Sequence, residues 1–188
     1  MKTELKLGEA LKHMMAVTPL DEITVKRLTD YCHVYRQTFY YHFRNIYDLL
    51  TWIYLNESVK NLDQVANWDD ALKFIFQYVR ENSSFVQNTL SSAGRELFIE
   101  FLYSTTFATQ LEVINKLPGN ELLSEEQKRF ISNFYAPSFV YMVVRWIDGG
   151  MKDDPETLVR ECSVIADNYL EDAINKFTSK RKDEDAGI

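Results

Sequence analysis

A chain of 188 residues with 46% apolar side chains can bury a sizeable core, in one domain or two small ones, and its net charge of −7 excludes a uniformly basic nucleic-acid binder. The longest apolar run of the second half, Phe139 to Val144, is far too short to cross a bilayer, and Met1 to Val17 lacks the apolar core of a signal peptide. These features predict a cytoplasmic protein with no membrane partner.

The charge is unevenly placed, +1 over residues 1–50 and −8 over the remaining 138. That asymmetry fits a small nucleic-acid-reading head on an acidic body. A first helix is predicted from Thr3 to Val17, with Leu7, Leu11 and Met14 on one stripe and Pro19 to end it. Leu20 to Ile23 is a short connection, and Thr24 is placed to cap a second helix, its amides set for a phosphate, with Lys26 and Arg27 adding positive charge. Val25, Leu28 and Cys32 follow at helical spacing, Val34 comes after only His33, and Phe39 and Phe43 begin a new stripe four residues apart. The pattern is helix, tight turn, helix. With Phe39 and Phe43 turned inward, Gln37, Thr38 and Tyr41 face out, and Arg36, Tyr40 and His42 lie on the flanks. Such side chains reach phosphate oxygens and base edges, whereas a face meeting only water usually carries Lys and Glu. The helix that carries Gln37 to Phe43 therefore reads as a recognition helix.

The stretch from Thr24 to Leu49 resembles the DNA-binding segment of the TetR/AcrR family of bacterial transcription regulators, of the type T-V-x-x-I-A-x-x-A-G-V-S-x-x-T-x-Y-x-Y-F-x-x-K-x-x-L. Thr24, Val25, Leu28, Cys32, Val34, Thr38, Tyr40, Phe43 and Leu49 fit it without a gap. Three positions depart: His33 replaces the turn glycine, Tyr35 the capping serine and Ile46 the phosphate-binding lysine. The segments RQTFYYHF and FYAPSFVYMVVRWIDGGMKDDPETL are similar to a low-GC Gram-positive branch of the family, which makes Tyr35 and Ile46 features of that branch. The resemblance implies an all-α, TetR-like homodimer of about nine helices that binds a palindromic double-stranded operator. Thr24, Lys26, Tyr35, Arg36, Gln37, Thr38, Tyr40, Tyr41 and His42 form the expected DNA contact set.

Past the head, Asn45 is placed to cap a fourth helix running from Ile46 to about Val65. Further helices are predicted from Trp68 to near Asn82, from Phe85 to Leu90 and, after a break at Ser91 to Gly94, from Arg95 to Leu117. Pro118-Gly119-Asn120 ends the last of these. Ser124 to Gln127 has the form of a capping box and opens a helix through Phe130, Phe134, Val140, Val144 and Ile147, with Pro137 as a kink and Gly149-Gly150 as the stop. Asp154-Pro155 starts a final helix whose stripe is Leu158, Cys162, Ile165, Tyr169 and Ala173. The division expected is 1–48 as a three-helix head, 49–178 as a helical ligand-binding and dimerisation bundle, and 179–188 as a frayed tail.

The last two helices carry more apolar surface than one partner needs, which predicts a two-fold dimer through Phe139, Met142, Val143, Trp146, Ile165, Tyr169 and Ala173. The resemblance implies an effector site in the body, for which Trp52, Phe76, Phe85, Arg95, Phe98, Tyr103 and Trp146 are the aromatic and cationic candidates; the same aromatics also suit a packed core. A small-molecule effector and control by a partner protein both remain open at this point. Cys32 and Cys162 fall on apolar stripes and read as buried free thiols. His13, His33 and His42 lack metal-ligand spacing with them, no glycine-rich phosphate loop occurs, and Ser91-Ser92 lacks a nucleophile elbow's surroundings. No catalytic residue, metal site or cofactor is expected.

Overall fold

Leu7 and Leu11, one helical turn apart and fully buried, seat the first helix, α1 (Thr3–Met15), in an N-terminal core. The computed structural model describes residues 2–62, 68–166 and 168–185, and every regular element among them is helical. After α1 come a 3₁₀ turn (Leu20–Glu22), α2 (Val25–Cys32), α3 (Arg36–His42), α4 (Ile46–Leu62), α5 (Trp68–Glu81), α6 (Ser83–Leu90) and α7 (Arg95–Lys116). A second 3₁₀ turn (Asn120–Leu122), α8 (Glu125–Asp148), α9 (Pro155–Ala166) and α10 (Tyr169–Asp185) complete the order. Val65, the expected end of α4, lies outside the described residues, as do the side chains of Val59 and Leu62.

The chain divides into two compact units: Met1–Asp63 with Tyr78–Leu102, and Gln64–Gln77 with Tyr103–Ile188. In the first, Leu7, Leu11, Leu28, Phe39, Leu49 and Leu50 are fully buried, with α1 packed on α2 and α4 and α2 packed on α3. Tyr54 is buried as well: its ring lies 5.3 Å from Phe85, 5.3 Å from Phe98 and 4.9 Å from Phe101, and its hydroxyl donates to Thr89 Oγ1 at 2.8 Å. A buried phenol is thus satisfied by a buried threonine, whose own hydroxyl donates to Phe85 O at 3.0 Å. The second unit holds a cluster of Ile114, Leu123, Ile131, Leu170 and Ile174, and an aromatic group in which Phe76 meets Trp146 at 5.2 Å and Phe139 at 6.1 Å.

Helix ends follow local chemistry. Thr24 Oγ1 accepts from the Arg27 amide at 3.2 Å, Asn45 Oδ1 from the Asp48 amide at 2.9 Å, and Asp154 Oδ2 from the Thr157 amide at 3.0 Å. Ser124 and Gln127 close the reciprocal capping box. Gly119 (φ 82°) and Gly150 (φ 83°) take the left-handed backbone that stops α7 and α8.

The structure corrects two expectations. The last helix is divided: Asn168 enters the left-handed region at φ 58°, a conformation asparagine tolerates better than most side chains, and α10 starts after it. Ile165 and Tyr169 therefore do not share one stripe, Ile165 being 84% exposed and Tyr169 half-buried. α10 runs to Asp185, so residues 179–185, read as a frayed tail, are helical. On α8 the buried face is made by Ile131, Ser132, Ala136, Phe139, Val140 and Val143, which leaves Phe130 and Phe134 exposed.

Candidate nucleic-acid interface

The turn between α2 and α3 depends on one residue in an uncommon conformation. His33 stands at φ 52°, ψ 48°, its amide donating to Asp30 O at 3.2 Å, while the Val34 amide donates to Thr29 O at 3.0 Å. That left-handed step ends α2 and lets Tyr35 start α3, with no side-chain hydrogen bond capping its first turn. Phe39 and Phe43 are buried, their rings 5.8 Å apart, and Phe43 packs edge-on to Trp52 at 5.8 Å. These two anchors decide which face of α3 looks out.

That face carries Tyr35 (85% exposed), Arg36, Gln37, Tyr40 and Tyr41 (86%), with Thr38 half-buried. Thr24 and Lys26 are exposed at the start of α2. His42 is drawn aside: it is half-buried, with Nδ1 3.2 Å from Glu4 Oε1, and its ring meets Tyr41 edge-on at 5.0 Å. Tyr40 sits edge-on to Phe39 at 5.5 Å, so the buried ring orients the exposed one.

Ile46, at the position of the family-type lysine, is buried and supplies no phosphate contact. The cation beside it, which sequence reasoning passed over, is Arg44, whose side chain is 87% exposed. Asp48 holds it: Arg44 Nε and Nη2 lie 3.4 and 3.3 Å from the carboxylate, which also accepts from the Arg44 amide at 3.0 Å. These bonds keep the Asp48 carboxyl below its ordinary range. Tyr47 donates to Asp21 Oδ1 at 2.8 Å, which lifts its phenol above the usual value.

The residues expected to line an effector site are divided between the two units. In the first unit, Phe85 and Phe98 are buried against Tyr54, Trp52 is half-buried against Phe43, and Arg95, half-buried, donates from Nη1 to Leu90 O at 3.2 Å. In the second, Phe76 and Trp146 are mutual core partners and Tyr103 donates its hydroxyl to Asn133. The second unit also contains three buried side-chain atoms with no well-formed hydrogen bond among the described residues: Thr106 Oγ1, and Gln110 Oε1 and the Tyr169 hydroxyl, whose side chains meet only loosely. Burial lifts the Tyr169 phenol far above its usual value, with nearby Tyr135 adding to the effect and the Gln110 amide opposing it. Both thiols are likewise raised by burial and so stay protonated.

Of the expected dimer contacts, Phe139, Val143 and Trp146 are buried, Phe139 against Trp68 and Phe76 and Trp146 against Phe76. Met142, Tyr169 and Ala173 are half-buried, Met142 Sδ lying 3.4 Å from Cys162 Sγ. The exposed stripe on α8 is Phe130, Phe134, Pro137 and Tyr141, at steps of four, three and four residues, and α9 exposes Val164 and Ile165. Among the described residues no helix is long and apolar enough to cross a membrane, and no His, Cys, Asp and Glu group is arranged to hold a metal ion.

A family model described as the C-terminal region of a transcriptional regulator matches residues 66–168. The HTH-type dhaKLM operon transcriptional activator DhaS of Lactococcus lactis subsp. lactis (strain IL1403) is 30% identical over 88 residues, 45% of this chain and 47% of that protein, so the match spans about half of the curated relative. Among solved structures, the dihydroxyacetone kinase operon activator DhaS matches with a TM-score of 0.66 at 22% identity, over 92% of this chain and 96% of its own. The fatty acid degradation regulator FadR from Bacillus halodurans gives 0.58 at 17%, over 84% and 91%. The TetR family repressor AlkX from Dietzia sp. strain DQ12-45-1b gives 0.53 at 15%, over 92% and 97%. These structural likenesses establish a shared fold.

Proposed function

Because this chain belongs to the TetR family of transcription regulators, we propose that it is a dimeric, sequence-specific DNA-binding protein whose operator affinity is set by a small molecule, acting as a repressor. The observation that carries the reading is the outer face of α3, where Tyr35, Arg36, Gln37, Tyr40 and Tyr41 stand exposed around two buried phenylalanines. Gln37, Thr38 and Tyr41 read base edges, and Thr24, Lys26, Arg36 and Tyr40 hold phosphates. His42, engaged with Glu4, contributes only when that contact opens. Arg44 takes over the phosphate contact that Ile46 lacks, a phosphate competing with Asp48 for its guanidinium.

The second copy docks on the Phe130, Phe134, Pro137 and Tyr141 stripe, with Val164 and Ile165 of α9. Support for a small-molecule effector comes from Thr106, Gln110 and Tyr169, neutral polar groups whose missing hydrogen bonds a polar ligand would supply. Relatives name both signs of regulation, an activator and a repressor. Two recognition helices in one operator must stand about 34 to 36 Å apart, and a ligand that favours another separation lowers affinity.

The test is a selection of bound duplexes from a random pool, repeated with Gln37→Ala. A palindromic site should emerge, and Gln37→Ala should flatten its preference at one base pair per half-site by about 1–3 kcal/mol with little change in salt dependence. An unchanged ranking of site variants would refute the base-reading role.

A further inference from the structure

Asn88, half-buried on α6, commits its whole amide to a corner of the chain 68 to 73 residues earlier. Its Nδ2 donates to the carbonyls of Met15 and Thr18, both at 2.7 Å, and its Oδ1 accepts from the Leu20 amide at 2.8 Å. Only this orientation of the amide serves all three, since two carbonyls need its N–H groups and an amide needs its oxygen. The three partners span the end of α1 and the start of the 3₁₀ turn that leads into α2. The same corner is pressed from the turn after α6: Asp21 Oδ1 accepts from the Ala93 amide at 3.3 Å, and a Cβ placed on Gly94 would lie 2.9 Å from Leu50 Cδ2 and 3.1 Å from Leu20 Cδ2.

We propose that Asn88 is a positioning residue that locks the DNA-reading head to α6 and thereby sets how strictly the dimer selects the spacing of operator half-sites. This rests on the reading of the chain as a dimeric DNA-binding protein. Apolar contacts alone let two helices slide, because dispersion and burial are weakly directional, whereas three hydrogen bonds from one short side chain restrain both translation and rotation. α1 packs on α2 and α2 on α3, and Glu4 of α1 meets His42 of α3 at 3.2 Å, so a turn of the α1 corner carries the recognition helix with it. α6 leads through a short turn into α7, one continuous helix that runs on into the second unit, which carries α8 and α9, so slack between head and α6 adds to slack in the separation of two heads.

The experiment takes a palindromic duplex selected by the wild-type protein and two derivatives with one base pair inserted or removed at the centre. Each change shifts the half-sites by about 3.4 Å and about 35°. Wild type, Asn88→Ala and Asn88→Asp are titrated against all three at one salt concentration, with folding followed by circular dichroism. Asn88→Asp keeps the shape and the acceptor for Leu20 but sets a carboxylate against two carbonyls, so the test stands if the alanine variant does not fold. Wild type should bind the altered spacings about tenfold or more weakly, and each folded variant should bring that penalty down to about threefold. Simple destabilisation weakens all three duplexes alike and leaves their ratios unchanged. Wild-type ratios in the folded variants would therefore overturn the role of Asn88. Failure of the wild type to select any duplex would overturn the DNA-binding reading, and this role with it.

Discussion

His33 holds a left-handed conformation in the turn between α2 and α3, where a side chain costs about 1–2 kcal/mol relative to an unstrained backbone. Glycine removes the clash of Cβ with the carbonyl but gives back part of the gain through the entropy of the unfolded chain. His33→Gly should therefore raise stability by about 1 kcal/mol, seen in urea as a higher midpoint with an unchanged slope. The opposite residue-scale trade sits at Thr106, whose hydroxyl is buried with no partner among the described residues. Thr106→Val keeps the shape and removes an unsatisfied group, so it should stabilise the ligand-free protein by about 1 kcal/mol. It should also weaken any effector that hydrogen-bonds there, a stability gained at the expense of function. Loss of stability on this substitution would mean that Thr106 already has a partner. The His33 conformation was legible only through the family resemblance, which sets His33 where the turn carries a glycine. The unsatisfied set of Thr106, Gln110 and Tyr169 was not, since it depends on which face α7 turns towards α10.

Among the elements, α8 shows most plainly what periodicity reveals and what it hides. Its start and stop were legible, because a capping box and a glycine pair act on neighbouring residues. Its orientation was not, because the stretch from Phe139 to Ile147 is apolar nearly all round, and a helix of that kind has no preferred inner face by pattern alone. Packing against α5 settles it, with Phe76 and Trp68 taking Phe139 and Phe76 taking Trp146. The aromatic stripe of Phe130, Phe134 and Tyr141 is left outward. A charge on that stripe should be tolerated by the fold and not by the dimer. Phe134→Glu should yield a folded monomer with a melting temperature near that of the parent subunit and operator affinity reduced at least about a hundredfold, read by sedimentation and duplex titration. A stable dimer with this substitution would move the interface elsewhere. The break at Asn168 was hidden for a related reason: the apolar period continues across it, so nothing in the spacing marks a change of direction.

At the scale of the whole molecule, the head was legible because its motif is local, twenty-odd residues whose spacing alone separates buried from exposed positions. The tie between head and α6 was not, since Asn88 and its partners lie 68 to 73 residues apart, beyond any periodic signal. The charge distribution gains meaning only with the geometry: a head of charge +1 must place its few cations well, and Arg36, Lys26 and Arg44 are exposed around α3. Binding should accordingly be strongly salt-dependent despite the acidic whole, with each neutralised phosphate adding about 0.9 to the slope of log affinity against log salt. The most direct test is a salt titration of the selected palindrome with wild-type protein and Arg36→Ala. Arg36→Ala should bind more weakly at every salt concentration with a slope shallower by about two, because each of the two heads then neutralises one phosphate fewer, and the preferred sequence should be unchanged. Equal affinity and equal slope for the two proteins would contradict this, because the outer face of α3 would then not lie against the phosphate backbone.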